Sequence, residues 1–243
     1  MESINQNLEQ IVARIGKACK STGRNPDGVR LLLATKTVEA ARIKIALEAG
    51  MTLTGENKVQ ELKEKYEALK GIPHENHFIG HLQGNKIKDL LKLDVSCLQS
   101  LDRLDLAEKL HQRLLLENRK MDVLVQVNTS NEESKFGIHP DQAIDLIRQV
   151  ARLETLKIRG LMTIGLFSAE TEKVRDCFRL LRKLQQEVIR EDIPNVEMKE
   201  LSMGMSGDLE TAIEEGATII RIGTAIFGQR AHPDSYYWNE KKN

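Results

Sequence analysis

Short apolar runs alternate with longer amphipathic segments along most of the chain. The opening segment places Ile4, Leu8, Ile11, Ile15 and Ala18 at helical spacing, and the pattern stops before a run of turn-forming residues at 22–26. We therefore predict an N-terminal helix over about residues 3–21.

Eight later runs are short, apolar and rich in β-branched residues, and we predict that each is a strand. They cover residues 29–34, 51–54, 77–80, 95–99, 123–128, 158–164, 200–203 and 218–222. Amphipathic helices are predicted over residues 38–49, 58–70, 104–116 and 208–215, with Asp102 as the cap of the third. The alternating charges at 58–70 predict a solvated helix face.

The strands are continuous apolar runs, which is typical of a parallel sheet covered on both faces. Their connections are long enough for crossovers, and eight is the strand number of a β/α barrel. We predict an α/β fold, a single (β/α)8 TIM barrel domain over residues 1–243. A short tail at 229–243 carries Tyr236, Tyr237 and Trp238, which could dock on the barrel or across its mouth. An open doubly wound sheet is the alternative.

Polar residues follow the predicted strands at their carboxyl ends, which is where ligands bind in both architectures. The first three strands lead to Lys36, Asn57 and His81, and the last two lead to Ser206-Gly207 and Gly223-Thr224. Because these ends meet on one side of a barrel, we expect the groups to converge on one mouth.

Lys36 follows an apolar run, so we expect its amine to enter a partly desolvated environment, which disfavours the ammonium form. Lowering a lysine pKa from about 10.4 by about three units takes roughly 4 kcal/mol, which burial or a nearby cation supplies. Such a lysine forms Schiff bases with aldehydes. The alternative is an ordinary solvated lysine at a strand end.

The loops after strands seven and eight supply backbone N–H groups and hydroxyls, and barrels often bind phosphate there. Each dipeptide alone would also fit an ordinary turn. Arg221 lies in an otherwise apolar strand, so its charge needs a partner. It either pairs with a carboxylate such as Glu200 or faces a cofactor ring nitrogen, which it would keep unprotonated.

Composition argues against several other classes of function. Lys plus Arg and Asp plus Glu both total 36, so no net charge attracts nucleic acid or anionic lipid. The apolar runs are far shorter than the roughly 20 residues that span a bilayer, and we expect a cytoplasmic protein. Cys19, Cys97 and Cys177 are scattered singly, which predicts buried, reduced thiols.

Three other kinds of site were considered. His74, His77 and His81 cluster, but no Cys or carboxylate completes a compact tetrahedral set, so no metal is predicted. The segment 204–208 has Asp208 where a nucleophile elbow needs its second glycine, which argues against hydrolysis. An aldolase-like barrel would explain Lys36 and the phosphate loops but not the other strand ends.

Several longer segments resemble the YggS/PROSC family of pyridoxal 5′-phosphate (PLP) binding proteins, the PLP homeostasis proteins. The matching segments are ATKT at 34–37, GENKVQE at 55–61, HFIGHLQGNK at 77–86, NTS at 128–130, KFG at 135–137, GLMT at 160–163, LSMGMSGD at 201–208 and RIGTAIFG at 221–228. They span almost the whole chain in the expected order.

The resemblance implies a barrel like the N-terminal domain of alanine racemase (PLP fold type III), with PLP in aldimine linkage to one lysine. The implied cofactor-binding residues are Lys36, Asn57, His81, Met203, Ser206, Arg221, Gly223 and Thr224. Of these, Ser206, Gly223 and Thr224 would hold the phosphate, and Arg221 would face the pyridine nitrogen. Glu132 and Lys135 match a nearby loop that could offer a second amine. Glu39 departs from the family, which usually has Pro or Lys there.

We therefore expect a PLP-binding protein of intracellular PLP homeostasis, which buffers the cofactor or delivers it to PLP-dependent apoenzymes and so affects amino-acid and keto-acid balance. We expect no catalytic residues and no robust catalytic activity, because racemases of this class use a second domain to supply a base. A slow PLP enzyme, such as an amino-acid racemase, is the alternative. We expect a monomer with no nucleic-acid or membrane partner.

Overall fold

Eight parallel strands form a closed barrel in this computed structural model, which describes residues 3–229. The strands are β1 (Arg30–Ala34), β2 (Leu53–Glu56), β3 (Glu75–Phe78), β4 (Val95–Leu101), β5 (Met121–Gln126), β6 (Leu156–Met162), β7 (Val196–Ser202) and β8 (Ile219–Ile222). Each pairs with the next in sequence, and β8 pairs with β1. The predicted (β/α)8 barrel is confirmed, and the open sheet is wrong. The predicted tail lies outside the described residues apart from Gln229.

Helices follow the strands around the outside of the barrel. They are α1 (Ile4–Ser21), α2 (Ala40–Glu48), α3 (Val59–Leu69), α4 (Ile87–Leu90), α5 (Leu104–Leu116), α6 (Pro140–Val150), α7 (Thr171–Glu191), α8 (Leu209–Glu214) and α9 (Thr224–Phe227). The predicted bounds of α5 are confirmed, but Asp102 does not cap it. Arg103 occupies the N-cap position, and the Asp102 carboxylate instead accepts a hydrogen bond from Arg103 at 2.7 Å.

Helix α1 precedes the barrel and covers the region where the chain closes. Ser3 and Gln6 form a capping box at its first turn, and all five predicted apolar positions of the helix are buried. The helix packs on α2, α8 and α9. Arg24, just beyond it, donates to the carbonyls of Ile213 and Ala217 at 2.6 and 2.7 Å. The predicted N-terminal helix is confirmed.

The apolar core has two parts. The larger part lies between the strands and the helices, as expected for strands whose outward face is covered. The smaller part consists of Leu32, Leu53, Cys97, Leu124, Met162 and Ile219. These residues come from six different strands, as expected for side chains that fill a barrel interior. The three cysteines are buried and unpaired, as predicted.

Gly80 follows β3 at a point where the chain passes against the segment after β2. A Cβ atom at this position would lie 2.0 Å from the backbone oxygen of Asn57. Only a residue without a side chain allows this approach, so Gly80 sets the spacing between the ends of β2 and β3.

We predict that Gly80→Ala lowers the free energy of unfolding by about 3 kcal/mol, because backbone must move to admit the methyl group. Urea unfolding measures the change. Gly71→Ala is the control, because a Cβ there meets no atom within 4 Å, and its stability should stay within about 0.5 kcal/mol of wild type. Equal midpoints for the two variants would contradict the close approach.

Candidate functional site

Lys36 lies just beyond the carboxyl end of β1, between the ends of β2 and β8. In the ladders Ala34 pairs with Gly55, and Leu33 pairs with Ile222. Continuing these registers by two or three residues places Lys36 beside Asn57 on one side and the loop after β8 on the other. The side chains of Lys36 and Asn57 are half-buried. The lysine therefore stands at the rim of the barrel mouth, where the first and last strands meet.

A cavity of about 260 Å³ opens between the end of β1 and the loop after β8. Its lining includes Lys36, Thr37 and Glu39 from one side and Gly223 and Thr224 from the other. Pockets for small molecules usually measure about 300–1,000 Å³, so this space lies just below that range. An amine on one side faces hydroxyl and backbone N–H donors on the other, which suits a small ligand with both a carbonyl and a phosphate.

The backbone on both sides of Lys36 is held by a buried ionic cluster. The Lys65 amine donates to the Thr35 carbonyl at 2.8 Å and to Glu56 Oε1 at 2.5 Å, and the Thr35 hydroxyl donates to the same Glu56 oxygen at 2.7 Å. On the other side, the Thr37 N–H donates to Glu61 Oε2 at 2.6 Å. The cluster fixes the segment that presents the lysine.

Thr37 adopts an unusual backbone conformation for a β-branched residue. Its φ is 63°, in the left-handed region that strongly favours glycine. Such strain costs on the order of 1–3 kcal/mol and persists only where surrounding contacts enforce it. The bond from Thr37 N–H to Glu61 is such a contact. The strain therefore lies immediately next to Lys36.

Glu56 and Lys65 form an ion pair that is almost completely removed from water. Their side chains are 3% and 10% exposed. Burial raises the pKa of Glu56, while the charge of Lys65 and the hydrogen bonds from Lys65 and Thr35 oppose that rise. The prediction of a solvated charged face on residues 58–70 is wrong for Lys65, because it occupies the buried stripe of α3 with Leu62 and Leu69.

Arg221 points into the barrel from β8 and is almost fully buried. Its guanidinium donates to Ser202 Oγ at 2.8 Å and to the Thr163 carbonyl at 2.7 Å. Burial lowers the pKa of Arg221 to about 10, so it remains cationic at neutral pH. Within residues 3–229 it makes no ion pair; the suggested pairing with Glu200 is wrong, because that carboxylate binds the Thr218 hydroxyl.

The loop after β7 carries Met203 and Ser206. Met203 is fully buried, and its N–H donates to the Ile219 carbonyl at 3.1 Å. Ser206 is half-buried, and its carbonyl accepts from Arg14 at 3.2 Å. Arg14 also binds both carboxylate oxygens of Glu210, at 2.7 and 2.8 Å. Helix α1 therefore holds this loop from the outside.

His81, in the loop after β3, contacts Phe136 in the loop after β5. Its ring stacks on Phe136 with centroids 4.0 Å apart and planes inclined by 17°. Its Nδ1 atom lies 3.8 Å from an oxygen of Asp102. Although burial opposes ionisation, the contacts with His81 and Arg103 lower the pKa of Asp102. The stacking on Phe136 restrains the plane of the imidazole.

Lys135 and Glu132 lie together in the loop after β5. Their side chains form an ion pair, and contact with Lys135 lowers the pKa of Glu132. The Lys135 amine also donates to the Gly165 carbonyl at 2.8 Å, which ties the β5 loop to the β6 loop. In this conformation the second amine is engaged by the protein.

The histidines considered for zinc have separate partners. His74 contacts the Ile72 carbonyl, His77 contacts Gln99, and His81 stacks on Phe136. Across residues 3–229, no group of three or more His, Cys, Asp or Glu side chains is arranged to hold a metal ion. Among the helices in the described part of the chain, none combines the length and apolar composition needed to cross a bilayer.

The alanine racemase N-terminal domain family matches residues 4–231, so the chain is a barrel protein of that class. An alanine racemase from Clostridium difficile has the same fold, with a TM-score of 0.73 at 14% identity over 96% of this chain and 57% of the racemase.

Closer relatives define the family. A pyridoxal phosphate homeostasis protein from Aquifex aeolicus is 45% identical over 227 residues, which cover 93% of this chain and 98% of that protein. A PLP-bound structure of PipY from Synechococcus elongatus is 30% identical, with a TM-score of 0.81, and covers 93% of this chain and 100% of PipY. The chain belongs to the family of pyridoxal phosphate homeostasis proteins, which confirms the resemblance found in its sequence segments.

Two groups of site residues escaped the sequence analysis. The first is the Glu56–Lys65 pair, although the spacing of Leu62, Lys65 and Leu69 already placed this lysine on the apolar face of α3. The second is the set of polar side chains inside the barrel, Gln99 and Ser202 among them. Polar residues within otherwise apolar strands were the available signal.

We predict that Lys65→Met lowers the free energy of unfolding by about 3–5 kcal/mol, because it leaves the Glu56 carboxyl buried without its countercharge. Urea unfolding measures the loss. Lys63→Met on the exposed face of the same helix is the matched control and should change stability by less than about 0.5 kcal/mol. Adding Glu56→Gln to Lys65→Met should recover part of the loss, and no recovery would argue against the buried pair.

Proposed function

We propose that this protein binds PLP with Lys36 as the residue of covalent attachment, and holds the cofactor reversibly for intracellular PLP homeostasis. The observation that carries the proposal is the shared cavity in which Lys36 faces Gly223 and Thr224 across the junction of β1 and β8. The family of the chain and the PLP-bound structure of its relative PipY support the same assignment.

The residues at the mouth fit PLP by the chemistry of their donors. When bound, PLP supplies an aldehyde that condenses with a primary amine, together with a phosphate and a pyridine ring. Lys36 would provide the amine. Ser206, Gly223 and Thr224 would hold the phosphate, since they offer hydroxyls and backbone N–H groups at the ends of β7 and β8. Asn57, His81 and Met203 would flank the ring, and Arg221 would face its nitrogen.

Arg221 also supports a role in holding the cofactor rather than in fast catalysis. With a pKa of about 10, its guanidinium keeps its protons at neutral pH and would donate a hydrogen bond to a ring nitrogen without protonating it. An unprotonated pyridine nitrogen is a weaker electron sink and stabilises a substrate carbanion less. We infer that the protein has no robust catalytic activity.

A protein that holds PLP reversibly must also release it. Lys135, now held by Glu132 and the Gly165 carbonyl, is our candidate for a second amine that accepts the cofactor during transfer to PLP-dependent apoenzymes. We propose that the chain acts as one domain and as a monomer. We also propose a cytoplasmic location, since the three buried, unpaired thiols suit a reducing compartment.

We predict that the purified protein mixed with PLP shows a visible absorption band that borohydride removes, and that peptide mapping then finds the reduced adduct on Lys36. Lys36→Ala should lose both the band and the adduct, because it lacks the attachment amine. Lys63→Ala, which removes an exposed lysine from α3, is the control and should retain both.

Two results would oppose the proposal. An adduct mapped to another lysine would show that Lys36 is not the attachment residue. Steady turnover of an amino acid well above the rate with free PLP, lost in Lys36→Ala, would favour the alternative of a slow PLP enzyme.

A further inference from the structure

A continuous chain of buried polar side chains crosses the interior of the barrel from Arg221. Arg221 donates to Ser202 Oγ at 2.8 Å, and the Ser202 hydroxyl donates to Gln99 Oε1 at 2.6 Å. The Gln99 amide lies 2.7 Å from His77 Nδ1. Ser202 is on β7 and Gln99 is on β4, two strands that are not neighbours in the sheet. The contact between them therefore spans the barrel interior.

This hydrogen-bonded chain of side chains ends at the opposite face of the barrel. His77 Nε2 lies 3.5 Å from one oxygen of Glu75, and Arg30 donates to the other at 2.8 Å. The three residues line a second cavity of about 210 Å³ at the amino ends of the strands. The contacts with His77 and Arg30 lower the pKa of Glu75 to about 2, so this end of the chain is an anion at neutral pH.

The donors and acceptors allow one consistent arrangement of protons. Arg221 has N–H donors and no acceptor, so Ser202 Oγ must accept from it and donate its own hydrogen to Gln99 Oε1. The Gln99 amide nitrogen must then donate to His77 Nδ1. That leaves the imidazole proton on Nε2, facing the Glu75 carboxylate. Every hydrogen bond in the chain points away from the mouth.

The reversed orientation of Gln99 is less favourable. Its amide nitrogen would donate to Ser202 Oγ, which already accepts from Arg221. The Ser202 hydroxyl hydrogen would then lose the Gln99 oxygen as its acceptor, inside a site with no exposure to water. An unsatisfied buried polar group is destabilising. The need of the Ser202 hydroxyl for an acceptor therefore sets the orientation of Gln99, and His77 Nδ1 accepts from the Gln99 amide nitrogen in that orientation.

We propose that Ser202, Gln99 and His77 are positioning residues for Arg221, which hold its guanidinium in the orientation that addresses the ring nitrogen of bound PLP. This inference rests on the proposed function and extends it. Within residues 3–229, the bonds to Ser202 and the Thr163 carbonyl use two of the five guanidinium N–H donors. These two anchors fix the plane of the group and leave donors for the ligand.

Nuclear magnetic resonance tests this assignment at both ends of the chain. In the protein without PLP, ¹⁵N-histidine spectra should show His77 with its proton on Nε2 and an acceptor at Nδ1. In the protein loaded with PLP labelled at the ring nitrogen, Ser202→Ala and Gln99→Leu should shift the ring ¹⁵N resonance toward its position in Arg221→Met. PLP should also bind about tenfold more weakly to these variants, as expected for losing one hydrogen bond to a charged group.

The matched control is Ser100→Ala. Ser100 and Ser202 are both fully buried serines on strands, but the Ser100 hydroxyl donates to the Gly80 carbonyl and lies outside the chain. It should lose stability as Ser202→Ala does and leave the ring resonance unmoved. Because Ser202→Ala removes only one oxygen atom, it provides the test if Gln99→Leu fails to fold.

Three outcomes would contradict the positioning role, the order of hydrogen bonds or the proposed function. If wild-type protein loads PLP but the two variants keep its ring resonance, the positioning role is wrong. A His77 proton on Nδ1 in wild type would overturn the proposed order of hydrogen bonds. If wild-type protein takes up no PLP at all, the proposed function fails, and the role of Arg221 fails with it.

Discussion

Hydrogen bonding between β8 and β1 closes the sheet, and the candidate site exists only because of that closure. The pairing aligns Leu32 with Arg221 and Leu33 with Ile222. It therefore brings the lysine after the first strand into one cavity with Gly223 and Thr224 after the last strand. An open sheet with the same strands would leave these groups at opposite edges. The position of every other mouth residue follows from the same ring of parallel strands.

Two polar networks supply partners for charged groups that the closed barrel removes from water. Charged groups at the end of a packed barrel are removed from water, and each needs partners within the protein. Beside the mouth, Glu56 Oε1 accepts from Lys65, and the Lys65 amine also holds the backbone next to Lys36 through the Thr35 carbonyl. Inside the barrel, Arg221 has no paired carboxylate in the described part of the chain and relies on a hydroxyl and a carbonyl. One network orients a backbone segment, and the other orients a side chain.

Much of the fold was predictable because its signals are local. The apolar runs gave all eight strands within a few residues, and the spacing from Ile4 to Ala18 predicted the buried face of α1. Of the residues at the predicted strand ends, Lys36, Gly223 and Thr224 line one cavity. Helix α5 shows the limit, since Asp102 looked like its cap but binds Arg103 instead. Which polar partner a side chain contacts depends on distances between atoms in the folded structure, and these distances cannot be read from the sequence.

The interior polar chain was harder to foresee for the same reason. Gln99 and Ser202 come from strands about 100 residues apart in sequence, and only the closed ring brings them within 2.6 Å. Arg221 was recognised as needing a partner, but its actual partners are a serine and a backbone carbonyl, which carry no charge pattern. Contacts with such neutral partners cannot be recognised from the composition or charge pattern of the sequence.

The packing of α1 has a consequence for how the protein is made. This helix is synthesised before all eight strands, yet two of its three partners, α8 and α9, are synthesised only after β7 and β8 respectively. Until they emerge, the apolar stripe from Ile4 to Ala18 lacks most of the surface on which it packs. During synthesis the nascent chain therefore carries an exposed amphipathic segment, which makes it a natural substrate for chaperones that bind such segments.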